Sequence, residues 1–276
     1  MDSDAPIITA MPTPPAPGAG APRAPLSLAI ITLNAAAALP DCLASAAFAD
    51  QIVVIDSGSS DGTQALAAAR GAQVIDMPWR GYGPQKQAAV AACAHDWVLC
   101  LDADERVTPA LRESITAALA APRRDAAPMA YRMARANRFM GRLLRHGEGY
   151  PDWSLRLFHR AHARWSDDAV HEKVETAGAV GTLSGDLLHE SAETLESYLA
   201  KQNRYTSLQA ERLAAAGERA GWTRIALSPL VRFIKFYLFR GGFLDGIPGL
   251  VHIAIGCLNS MVKYAKLRDL QGPPRP

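Results

Sequence analysis

The chain has 276 residues, 49% hydrophobic and 20% charged, with 29 Lys and Arg against 27 Asp and Glu for a formal net charge of +2. That is enough apolar material for one large domain with appendages, and it excludes an intrinsically disordered protein. The four cysteines, at 42, 93, 100 and 257, form no CxxC or Cys/His spacing, which argues against a zinc or disulfide framework and for reduced, buried thiols.

Residues 1–25 contain seven Pro and six Ala with no helical or strand periodicity and are expected to form a flexible tail. No basic start leads into a continuous apolar run there, so no secretory signal is predicted and a cytoplasmic location is expected. From Leu26 the pattern alternates. A strand "LSLAIITL" is followed by an Ala-rich helix from Ala36 to Ala47, a strand "QIVVID", the loop "DSGSSDGT" and a helix "QALAAARGA" stopped by Gly71. A weaker strand "AQVI", a helix through "QKQAAVAACA" and a strand in "DWVLCLDAD" come next. Strand–helix alternation with near-continuous apolar strands predicts an α/β fold with a mostly parallel sheet flanked by helices. Ligands of such sheets bind beyond the carboxyl ends of the strands, where Asn34, Asp56 and Asp102 fall.

Asp102, Asp104 and Glu105 follow directly on an apolar run. In extended backbone, Asp-x-Asp sends both side chains to the same side, and a hard cation with oxygen ligands could bridge them to a diphosphate. The competing reading is a turn and helix cap, since "DERVTPALRES" also opens a helix at about Thr108. The loop "DSGSSDGT" with a helix N-terminus behind it could receive a phosphate or ribose. It carries neither the GxGxxG fingerprint nor the P-loop lysine, so neither a dinucleotide fold nor a P-loop ATPase follows.

Arg132, Arg135, Arg138, Arg142 and Arg145 recur every three or four residues, which predicts one helical face, and no acid lies between Tyr131 and Arg145. A solvated face is the default, but arginines so placed need anions, and their geometry suits phosphate or carboxylate. Residues 222–276 hold eight Lys or Arg and two Asp, a balance of +6 against −4 for the rest. Drawn as a helix, "SPLVRFIKFYLFRGGF" puts Leu230, Phe233, Ile234, Tyr237 and Leu238 on one face. Phe236 and Phe239 then fall among Arg232, Lys235 and Arg240, the pattern of an interfacial helix at an anionic leaflet. The uncharged run from Gly246 to Val262 has 17 residues and includes Pro248, three glycines and Asn259. It is short for a membrane span, so in-plane attachment is expected.

The stretches "IITLNAAAALPDCLASAAFADQIVVIDSGSSDGT", "WRGYGPQKQAAV" and "DWVLCLDADERV" resemble the nucleotide-sugar-binding half of family-2 inverting glycosyltransferases, which have the GT-A fold. Over Leu26 to Leu267 the chain is similar to the bacterial lipopolysaccharide core glucosyltransferases of that family that act on the inner-core heptose, through "NRFMGRLLRHGEGYPDWSLRLFHR", "AVHEKVE" and "YLAKQNRYT". The resemblance implies a tail (1–25), a nucleotide-sugar-binding half (26–125), an acceptor-binding and catalytic half (126–221) and basic amphipathic helices that associate with a membrane (222–276). It implies a UDP-sugar donor, with Asp56 against the nucleoside, Asp102 against the ribose or metal, and Asn34 and Lys86 nearby. Asp104 would hold Mg2+ or Mn2+, with His171 as a further ligand. An inverting transfer needs a carboxylate base, for which Glu172 is first and Asp152 second. Arg138, Arg142, Arg145 and Arg156 would bind an anionic glycolipid acceptor bearing Kdo carboxylates and phosphates at the inner leaflet of the cytoplasmic membrane. No nucleic-acid partner is expected. A glycosyltransferase acting on another lipid-linked glycan acceptor is the alternative, and a metal-dependent nucleotidyltransferase and a non-catalytic membrane scaffold are the other function classes.

Overall fold

The computed structural model describes residues 23–122, 127–168, 172–190 and 194–272. Most of the expected tail, and His171, therefore lie outside the described residues. Strands β1 (Leu26–Thr32), β2 (Gln51–Asp56), β3 (Gln73–Asp76) and β4 (Trp97–Asp102) are linked by helices α1 (Leu39–Ser45), α2 (Thr63–Ala69) and α3 (Tyr82–Ala91). They pair in parallel in the order β3-β2-β1-β4. Helical crossovers are what parallel neighbours require.

The sheet continues beyond β4 in a mixed half. After β5 (Glu105–Val107) and α4 (Pro109–Ala120) come β6 (Ala130–Phe139), β7 (Arg142–Leu143) and β8 (Asp152–His159). A two-stranded excursion, β9 (Ala163–Trp165) and β10 (Val174–Thr176), precedes β11 (Val180–His189). β8 lies antiparallel between β4 and β6, β11 runs parallel to β6, and β5 closes the far edge against β11. The arrangement is the expected α/β sheet flanked by helices, with one continuous sheet crossing from the first half of the chain to the second.

Both faces of the parallel half are buried, which explains the unbroken apolar runs. Leu26, Leu28 and Ile30 of β1, with Leu99 and Leu101 of β4, pack against α1 and α4 on one face. Ala29, Val53, Ile55, Val98 and Cys100 form a second cluster under α3 on the other. Cys42, Cys93 and Cys100 are buried free thiols. Thr108 caps α4, its hydroxyl accepting from the Leu111 N–H at 3.3 Å.

Three helices complete the chain: α5 (Leu195–Ala215), α6 (Trp222–Phe233) and α7 (Gly246–Leu270), the last two joined by a π-helical segment (Ile234–Phe239) and a 3-10 turn (Gly242–Asp245). Asp245 ties them to the sheet. Its carboxylate accepts from the Arg145 and His146 backbone N–H groups at 3.0 and 2.8 Å.

One expectation is corrected here. The arginine-rich run from Tyr131 is strand β6, not a helix, because Met133, Ala134 and Ala136 must enter the sheet core and tertiary packing overrides a three-to-four-residue spacing.

Candidate active site

The carboxyl ends of β1, β2 and β4 meet where the strand order reverses, the usual crevice of such sheets. Asp56, at the end of β2, is fully buried. It accepts from the Thr32 hydroxyl (2.7 Å), the Ser59 hydroxyl (2.5 Å), the Ser59 and Gly58 N–H groups (2.8 and 3.1 Å) and the Gln64 amide (2.7 Å). Burial disfavours its charge, but the donors from Ser59, Gln64 and Thr32 outweigh burial and hold the carboxyl down at about 2. A nucleoside reaching Asp56 would have to replace one of these bonds. Asn34, in left-handed backbone with φ 50, accepts from Ser60 N–H at 2.9 Å while its own N–H reaches Ser59 Oγ at 2.8 Å. The two strand-end loops thus form one rim.

Beyond the rim runs a chain of alternating charges. Lys86 Nζ lies 2.9 Å from Glu172 Oε1 and 2.9 Å from Asp102 Oδ1. Arg156 Nη2 bridges Asp102 Oδ2 and Glu105 Oε1, each at 2.8 Å. Arg135 then links Glu105 at 3.4 Å to Asp152 at 2.6 Å. Both expected bases, Glu172 and Asp152, are therefore the ends of one network that passes through Asp102. Burial opposes the charge of Asp102, yet Arg156 and Lys86 overrule it and hold its carboxyl well below the usual carboxylate range. Glu105, fully buried, also accepts the Asp102 N–H at 3.0 Å, so the third acid of the cluster braces the first. Lys86 is in place because α3 abuts the chain before Glu172. The Gly83 N–H donates to Asp168 O at 3.1 Å, and a Cβ at Gly83 would run into the Ser166 carbonyl.

Asp104 stands apart from that network. Its Oδ2 is 3.2 Å from Nε2 of His189, at the end of β11. His189 Nδ1 is 2.8 Å from Asn137 Oδ1, and the Asn137 amide nitrogen donates to Asp152 Oδ2 at 3.4 Å. With Nδ1 turned to the Asn137 carbonyl, Nε2 is the ring atom that faces the Asp104 carboxylate. A second partner fixing the ring, as Asn137 does here, is what a metal-binding His needs. Among the described residues no cluster of three or more His, Cys, Asp or Glu could hold a metal by protein groups alone. One carboxylate, one imidazole and the phosphates of a substrate fit a divalent cation nonetheless. His189 went unmarked in the sequence, although it ends a strand just as Asp56 and Asp102 do.

The arginines expected to hold an anionic acceptor are engaged elsewhere. Arg138 grips Glu190 with bonds of 2.6 and 2.9 Å, Arg145 pairs with Asp186 at 2.6 Å, and Arg142 donates to the Leu244 carbonyl at 3.0 Å. Arg156 is buried against Asp102. The anions missing from the local sequence are the chain's own, brought in from distant segments. Next to Asp152 and His189 a cleft of about 450 Å3 opens, lined also by Arg135, Asn137, Tyr198 and His252.

Residues 27–180 match the family model described as Glycosyl transferase family 2. The lipopolysaccharide core biosynthesis glycosyltransferase LpsC of Rhizobium meliloti (strain 1021) is 32% identical over 253 residues, 89% of this chain and 93% of that protein. The uncharacterized glycosyltransferase RP128 of Rickettsia prowazekii (strain Madrid E) is 31% identical over 255 residues, 89% of this chain and 87% of that protein. Among solved structures, S. aureus TarS 1-349 in complex with UDP-GlcNAc is similar with a TM-score of 0.47 at 12% identity, covering 90% of this chain and 91% of that one.

Proposed function

Because this chain belongs to glycosyl transferase family 2 and is a glycosyltransferase, we propose that it moves a hexose, glucose from UDP-glucose, to the inner-core heptose of lipopolysaccharide at the cytoplasmic membrane face. The similarity to LpsC over most of both chains supports the core pathway. Family membership also replaces the nucleotidyltransferase and scaffold readings. The observation that carries the mechanism is the charge chain, which ties a carboxylate on each side of the crevice, Glu172 through Lys86 and Asp152 through Arg135, Glu105 and Arg156, to Asp102 at the end of β4.

The loops around Asn34 and Asp56 hold the nucleoside, and Lys86 meets the diphosphate. Asp104 and His189 are the residues that would hold a divalent cation, and such a cation would supply positive charge beside the leaving nucleoside diphosphate. Glu172 takes the proton of the acceptor hydroxyl as its oxygen bonds to the anomeric carbon. The bond from that carbon to the phosphate oxygen breaks on the opposite face, and its electron pair leaves with UDP. Glu172→Gln is expected to lower turnover by about 10²–10⁴-fold with donor affinity retained. Normal turnover in that variant, with loss in Asp152→Asn, would move the base to Asp152. The direct test is labelled UDP-glucose, Mg2+ or Mn2+ and purified truncated lipopolysaccharide. A longer glycolipid and free UDP are expected, and release of neither removes the proposal.

Attachment to the membrane rests on α6 and α7. Trp222, Val231, Phe239 and Ile247 are 70%, 62%, 84% and 71% exposed, far more than isolated surface apolars. Phe236 sits among Arg232, Lys235 and Arg240 at 5.5, 5.1 and 5.8 Å. Within Gly242–Leu270 an 18-residue segment has a mean hydropathy of 1.3, long and apolar enough for a membrane span, and 33% of it is buried. Yet His252, Gly256, Asn259 and Lys263 line a cavity on one side of α7, while Ile247, Leu250, Ala254, Leu258 and Met261 are exposed on the other. A helix divided lengthwise in this way suits an in-plane position.

A further inference from the structure

A second cavity lies between β8 and the helices α5 and α7. It measures about 420 Å3, within the roughly 300–1,000 Å3 of small-ligand sites. Asn137, Asp152, Tyr198, Gln202 and His252 line both this cavity and the cleft that reaches His189, so a ligand in one extends toward the other. Much of its α5 wall comes from the motif "YLAKQNRYT", which no step of the reaction uses.

The charges here are largely spent. Glu148 is gripped by Arg232 through two bonds and Asp152 by Arg135, and the Lys263 ammonium lies 4.5 Å over the Tyr264 ring. Burial first, then the nearby Arg232, pushes the His252 imidazolium down, so the ring is neutral at neutral pH, with Nε2 3.2 Å from the Tyr198 hydroxyl. What remains is amide chemistry. Asn259 Nδ2 donates to Gln202 Oε1 at 2.9 Å. Among the described residues that leaves the Gln202 NH2 as a donor and the Asn259 carbonyl as an acceptor for a ligand. Adjacent hydroxyls, each both donor and acceptor, match such a pair.

We infer that this cavity is the saccharide subsite for the acceptor, and that it selects hydroxyl-rich aldose units through the Gln202–Asn259 amide pair. The inference rests on the proposed transfer to a core saccharide, and it assigns recognition to hydroxyls where the arginine-rich sequence pointed to anions. Sites built on buried hydrogen-bonding groups reject ligands that leave those groups unpaired.

The test uses the full chain saturated with UDP and a deacylated, heptose-containing core oligosaccharide, native or dephosphorylated, with binding read by saturation-transfer NMR. Both forms are expected to bind wild-type protein. The Gln202→Ala/Asn259→Ala variant is expected to lose about tenfold in oligosaccharide affinity, the equivalent of one or two hydrogen bonds, with UDP affinity unchanged. Gln202→Glu, nearly the same shape and still able to accept from Asn259, is expected to lose binding too and serves if the double variant does not fold. Equal binding by the variants, binding only of the phosphorylated form, or no binding by the wild type overturns the assignment. Failure of the wild type to bind UDP strikes the donor reading instead and leaves the oligosaccharide arm readable.

Discussion

Around β1, β2 and β4, alternate side chains feed two buried apolar clusters on opposite faces of the sheet, whereas among the described residues the buried cluster of the C-terminal helices is small: Ala210 of α5, Leu267 of α7 and Ala220 of the connection to α6, which itself has no buried residue. The first region is fixed by burial, the second by polar locks. Arg232 holds Glu148, Arg240 reaches the Tyr150 carbonyl at 2.7 Å, and Lys266 bonds Asn203, Thr206 and Ser207 between 2.8 and 3.0 Å. Burial is non-directional and tolerant, so strand ends held by it can carry an expensive chain of charges. Polar locks are directional and individually modest, so the helices they hold can be detached without dismantling the sheet.

The sharpest way to separate chemistry from architecture is Asp104→Ala. Turnover is expected to fall by about 10³-fold or more, since its contribution grows with leaving-group charge, while the melting temperature stays close to wild type. Chelation should act in parallel, and full turnover after exhaustive chelation would sink the cation reading. Arg156→Met strikes the architecture itself. It leaves the buried Glu105 and the partly buried Asp102 without their shared cation and is expected to cost about 3–5 kcal/mol in denaturant unfolding. Arg232→Gln, by contrast, should expose α6 and α7 to limited proteolysis while UDP binding survives. Equal loss of UDP binding in both variants would erase the contrast between the two regions.

A smaller effect belongs to Asp56. Its folded-state value of about 2 lies below the ordinary Asp value of about 3.9, so its stabilisation is present above about pH 4 and is lost as pH falls through 2. The amount is about 2 kcal/mol, and acid unfolding of Asp56→Asn should lack that component. Smallest of all is Lys235→Gln with Phe239→Ser on the exposed face. One basic group near an anionic surface contributes about 1 kcal/mol, so vesicle binding should weaken and become less salt-sensitive, with melting unchanged. Arg232 and Arg240 are unsuitable for this purpose because each also holds the helices to the 148–150 segment.

The parallel half was legible in the sequence because its signals are local. Apolar runs ending at Asp56 and Asp102, and Thr108 ahead of α4, each declare their element within a few residues. The site was half legible for the same reason. That Lys86 meets Glu172, 86 positions away, or that Glu190 and Asp186 satisfy Arg138 and Arg145, depends on sheet order, which no window of sequence contains. His189 shows the recoverable part. Placing a strand over "VGTLSGDLLH" would have put it at a strand end, but the register shift between Thr182 and Asp186 breaks the period there, and Gly185, at φ 86, permits that break.

Helix α7 also acts as a gauge. One flank lines the cavity and the other presents the apolar stripe, so the two are separated by a single helix diameter, about 10–12 Å. A lipid surface resting on that stripe would sit a fixed, short height below the sugar subsite. A growing glycan could then be read only near its root, and residues added further out would pass beyond the protein's reach.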